Sequence, residues 1–111
     1  MNEWHNEDKG AINKKIITVQ QDAFLLNTNT QLKQQYAEIS KINQLIAKDA
    51  EIIELRMKVK EAAKAQLENG VITANDYLRE VNAEDQARQM LIVHQLQLTQ
   101  AKINYQTTKG K

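Results

Sequence analysis

The chain has 111 residues, with 15 Lys and Arg against 14 Asp and Glu and a formal net charge of +1. That length allows one domain at most, and the near-neutral balance leaves no electrostatic footprint for nucleic acid. Aromatic residues are only 5% and Pro and Cys are absent, which excludes a turn-rich β-sandwich or barrel, disulfides, thiolate nucleophiles and cysteine metal sites.

The first ten residues, 1–10, read as a polar N-terminal segment without the apolar run of a signal peptide. Nowhere do about 18 consecutive apolar residues occur, so no helix of this chain spans a membrane. Glycines stand only at Gly10, Gly70 and Gly110. Between the first two, the sequence is rich in Ala, Leu, Ile, Lys, Glu and Gln, all compatible with helix. Apolar residues recur at three- and four-residue steps: Ile12, Ile16, Val19, Ala23 and Leu26, then Ile39, Ile42, Ile46 and Ile53, with Asp49 interrupting. An offset run holds Leu45, Ile52, Leu55, Val59 and Ala62. These coiled-coil-like spacings predict one helix over 11–69, roughly 87 Å long at ~1.5 Å per residue.

A tight turn follows at 70–72. Gly70 supplies the left-handed residue that ends many helices, with Val71 placed to fold back onto Ala65. Thr73 is a good N-cap, Asp76 completes a capping box with it, and Ile72 and Tyr77 sit at hydrophobic-staple positions. The return helix is expected over 73–107, with a tail at 108–111. Its main seam is Ala87, Leu91, His94, Leu98, Ala101 and Tyr105, beside a second of Ile92, Leu96 and Ile103. So short a turn makes the helices antiparallel. The return helix, about 50 Å long, then leaves residues 11–35 unpartnered. The fold class is all-α: a long antiparallel, coiled-coil-like hairpin. Two apolar seams per helix are what a helix with neighbours on both sides needs, so the hairpin reads as one panel of a wall of helices.

No convergent catalytic set is visible, and neither a cofactor nor a metal is called for. His5 and His94 lack partners at metal-ligand spacing; His94 on its seam reads as packed or hydrogen-bonded. Asp76, Glu80, Glu84 and Asp85 crowd the start of the return helix, where Asp76 and Glu80 gain from the helix dipole. Arg56, Lys58, Lys60 and Lys64, interleaved with Glu54 and Glu61, read as a solvated face. Glu54 with Lys58 and Glu84 with Arg88 are i,i+4 pairs. Trp4 reads either as an anchor on a neighbouring element or as a residue stranded by truncation. Val71 and Ile72, besides their turn roles, offer apolar atoms at the hairpin tip for docking.

The run Ala65-Gln66-Leu67-Glu68-Asn69-Gly70-Val71-Ile72-Thr73-Ala74-Asn75-Asp76-Tyr77-Leu78, continued by Asn82-Ala83-Glu84, Ala87-Arg88-Gln89, His94, Leu98, Ala101, Asn104-Tyr105 and Gly110, resembles the periplasmic hairpin tip of TolC-like outer-membrane efflux proteins. The resemblance covers roughly 11–110 and is strongest over 65–110. It implies a hairpin from the second repeat of a longer, homotrimeric channel in a Gram-negative outer membrane, forming part of its periplasmic α-barrel wall and having no enzymatic role. It further implies that Gly70, Val71, Ile72 and Thr73 form the tip that meets a periplasmic adaptor and, through it, an inner-membrane pump. Ala74 and Asn75 stand where some relatives carry gating residues, so no gating role is carried over. The runner-up reading is a coiled-coil scaffold or an adaptor's own hairpin. A small metal- or cofactor-dependent enzyme is a distant third.

Overall fold

The computed structural model describes the backbone of residues 2–110 and the side chains of residues 7–110. The side chains of Trp4 and His5 and the last residue of the expected tail lie outside the described residues. Two helices, α1 (Asn2–Glu68, 67 residues) and α2 (Ala74–Lys109, 36 residues), form an antiparallel hairpin measuring 101 × 18 × 17 Å. Its radius of gyration is 27.9 Å, against about 13 Å for a globule of similar length.

The seam between the helices is a heptad. On α1 the positions turned toward α2 are Leu32, Gln35, Ile39, Ile42, Ile46, Asp49, Ile53, Lys60, Ala63 and Leu67, each buried or half-buried. They step by three and four, or by seven between Ile53 and Lys60, so α1 keeps one face on its partner as a left-handed supercoil requires. On α2 the corresponding residues are Glu84, Ala87, Leu91, His94, Leu98, Ala101, Tyr105 and Thr108. The core is thin: among the described residues, Ile42, Ile53 and Ala63 are the buried apolar ones.

All four helix boundaries differ from the sequence reading, the end of α1 at Glu68 and the start of α2 at Ala74 by one residue each. α1 begins at Asn2, and Gly10 lies inside it. One glycine costs a helix only about 1 kcal/mol, which the favourable residues around it offset. The return helix extends to Lys109 rather than stopping at 107, because Thr108 is drawn into the seam by Gln35.

The turn is fixed from both sides. Val71 N–H donates to the Gln66 carbonyl at 2.8 Å and Gly70 N–H to that of Leu67 at 3.0 Å. This crossed pair is a Schellman motif. Gly70 has φ 72°, the one positive φ among the described residues. On the other side the Asp76 N–H donates to Thr73 Oγ1 at 3.2 Å, and the Thr73 N–H donates to the Asp76 carboxylate at 3.0 Å. The bond from the Thr73 backbone N–H is the main reason the Asp76 carboxyl is held below its ordinary range, and the Thr73 hydroxyl adds to it. Ile72 and Tyr77 are both half-buried, as a staple requires.

A Cβ at Gly70 would meet nothing within 4 Å, so the cost of replacing it is backbone strain alone. Gly70→Val is expected to destabilise the hairpin by roughly 1 kcal/mol or more, read as a lower midpoint in urea melts followed by circular dichroism. An unchanged midpoint would remove the left-handed cap from the account of the turn.

Candidate functional site: the hairpin tip and the polar layers behind it

The four residues singled out at the tip are brought together, in unlike environments. Gly70 and Thr73 shape the backbone, Ile72 is half-buried beside the start of α2, and Val71 stands 69% exposed. Val71 and Ala65, expected to pack together, are both exposed. The Schellman bond already fixes the Val71 backbone, so its side chain is left on the outside of the turn. Leu78, one turn into α2, is 52% exposed, and the polar Asn69, Thr73 and Asn75 surround this end of the rod.

Behind the tip, three polar layers interrupt the apolar seam. Nearest the turn, Lys60 Nζ donates to Glu84 Oε2 at 2.8 Å, while Arg88 reaches Glu84 Oε1 at 3.4 Å. Lys60 thus leaves the solvated face to which the sequence assigned it, because its heptad position turns it toward α2. The hydrogen bond from Lys60 is the main reason the Glu84 carboxyl is held below its ordinary 4.5. The same bond raises the Lys60 ammonium above 10.5. A carboxyl depressed in the folded state stabilises above its unfolded pKa and loses that contribution as pH falls through the folded value; a raised ammonium stabilises below 10.5 and loses it in alkali. The Lys60–Glu84 layer therefore acts across the whole neutral range. Arg88 also lies 3.3 Å from the Met57 sulfur.

Midway along the hairpin, Asp49 and His94 pair through Oδ2 and Nδ1. Their side chains are 7% and 15% exposed, so each depends on the other to be satisfied. At the far end Gln35 donates to Thr108 Oγ1 at 3.0 Å, and the second amide atom, Gln35 Oε1, has no partner. The expected i,i+4 contacts, Glu54–Lys58 at 3.6 Å and Glu84–Arg88, are present.

The sequence reading treated Asp49 as an interruption and His94 as a seam residue, and did not join them. The signal was available. Asp49 lies two heptads beyond Gln35 and His94 two heptads before Thr108, so the same register that pairs one couple pairs the other. Among the described residues no three His, Cys, Asp or Glu side chains come together as a metal site.

The second seams remain bare. Ile52, Leu55 and Val59 on α1 are 44%, 61% and 43% exposed, and Ile92, Leu96 and Ile103 on α2 are 55%, 66% and 54% exposed. No family model, curated protein or solved structure matches the chain.

Removing one member of a buried polar pair strands the other, whereas replacing both with apolar side chains does not. Asp49→Ala is expected to cost about 1–3 kcal/mol, and Asp49→Leu with His94→Leu to recover most of it. Urea midpoints of the set check this. A double variant as unstable as the single one would show that the pair contributes more than mutual satisfaction.

Proposed function

We propose that this chain is the periplasmic helical hairpin of a TolC-like outer-membrane efflux or secretion channel. In this reading three copies of the parent protein close an α-barrel conduit, with no catalytic role. The tip docks a periplasmic adaptor that leads to an inner-membrane pump. The observation that carries the proposal is the state of Val71: a branched apolar side chain 69% exposed on a turn held by a Schellman motif at one end and a capping box at the other. A rigid presentation of apolar surface loses little entropy on docking. The uncovered seams on both helices support the conduit, since side-by-side neighbours in a wall would cover them. The sequence resemblance at residues 65–110 supports it independently.

The same bare seams would also serve a coiled-coil scaffold or an adaptor's own hairpin, and the tip distinguishes these. A photo-crosslinking residue at position 71, in the whole protein in cells, is expected to capture the helical hairpin of a periplasmic adaptor, identified by mass spectrometry. Robust expression with no adaptor crosslink, while the same probe at Leu55 does crosslink, would overturn tip docking and favour the scaffold.

A further inference from the structure

Of the three polar layers in the seam, only the middle one changes its charge near neutral pH. Lys60 and Glu84 both stay ionised through that range, as their bond to each other favours, and the Gln35–Thr108 couple does not titrate. The middle layer holds an imidazole, the side chain that exchanges its proton between about pH 5 and 8.

This layer leaves His94 a single charged partner. Its Nδ1–H donates to Asp49 Oδ2, and the two side chains are 15% and 7% exposed. Ile46 and Ile53 on α1 and Leu91 and Leu98 on α2 close the layer above and below, each buried or half-buried. Within a turn of Asp49, α1 carries only Lys48 and Glu51, both exposed on faces turned away from α2. From Gln89 to Ala101, α2 carries no Asp, Glu, Lys or Arg. A carboxylate against an imidazolium is neutral as a pair, and no other group nearby answers either charge. Loss of the shared proton leaves a buried carboxylate facing a neutral ring; gain of a second leaves a buried imidazolium facing a neutral acid. Both strand a charge. Among the described residues, Gln35 Oε1 is the one sealed side-chain atom without a hydrogen bond. His94 Nε2, which makes none, thus touches solvent and exchanges protons without the hairpin opening.

The two halves of the rod are unequally held. The tip half has the turn, the Lys60–Glu84 layer and the buried Ile53 and Ala63, whereas the other half has the uncharged Gln35–Thr108 couple and one buried apolar residue, Ile42. We propose that Asp49 and His94 form a proton-operated clasp: while they share one proton they hold residues 35–49 against 94–108, and losing it as pH rises through neutral loosens that half and spares the tip. A closed state that holds one proton more than the open one weakens as pH rises, by up to about tenfold in the closed-to-open ratio per pH unit. The clasp rests on the seam alone and is independent of the channel reading.

Amide hydrogen exchange of the full 111-residue chain, corrected for the pH dependence of intrinsic exchange, tests it segment by segment. From pH 6 to pH 8, protection over 95–107 is expected to fall about tenfold while that over 78–88 holds steady. Asp49→Asn keeps the shape and the acceptor oxygen but removes the counter-charge. Its trend should reverse, with protection over 95–107 greater at pH 8. His94→Gln removes the titrating group, and its protection, though lower, should not vary between these pH values. Unchanged wild-type protection, an equal fall in both segments, or a wild-type fall retained in either variant would overturn the clasp.

Discussion

Matched seven-residue steps on two antiparallel helices hold this molecule in a single register, and the rest of its structure depends on that match. From Gln35 to Asp49 on α1 and from Thr108 back to His94 on α2 the steps are equal, and the polar couples close at both ends of them. From Asp49 to Lys60 the step shortens to about three turns, and Glu84 answers it from α2. A slide of one heptad would set Asp49 against Ala87 or Ala101 and Glu84 against apolar or unlike positions. Each stranded buried group would cost about 1–3 kcal/mol, a large penalty for a seam with only three buried apolar residues. Apolar contact favours pairing in general; the polar layers select which pairing.

The turn and the layers reinforce each other. Gly70 and the Thr73–Asp76 box set where α2 begins, and the Lys60–Glu84 couple lies within about three turns of that start. A hairpin so fixed at its closed end transmits its register along the rod without a large core. The consequence is exposure. A helix of 67 residues faces one of 36, and the seam uses one stripe on each. The apolar side chains left exposed include the second seams, the stripe of Ile12, Ile16, Val19 and Leu26 near the start of α1, and the tip. Each is bounded by Gln, Asn and scattered charge rather than by further core, the pattern of surfaces that other helices cover.

The hairpin itself was legible in the sequence because it rests on local chemistry. Asn69-Gly70 before an apolar dipeptide, and Thr73 three residues before Asp76, are short-range signals that the backbone obeys almost irrespective of context. The α2 seam from Ala87 to Tyr105 followed from periodicity. What periodicity of apolar residues could not give was the polar part of the seam. Asp49, Lys60 and Glu84 look like breaks in a hydrophobic run, and only counting heptads through them reveals that Asp49 faces His94 and Lys60 faces Glu84. Gly10 was over-weighted as a boundary, since one glycine is a small cost within a long favourable helix.

The central claim is that this hairpin is one panel of a helical wall, its second seams covered by neighbouring helices when assembled. Single cysteines at Leu55 and Leu96, in the whole protein in cells, test it most directly through their reaction with a hydrophilic maleimide. Both positions are expected to resist labelling in the intact assembly and to react rapidly once it is dissociated by denaturant, with a control cysteine at an exposed polar position such as Gln89 labelled in both states. Rapid labelling of Leu55→Cys and Leu96→Cys in the intact assembly would contradict it, leaving the seams as open surface.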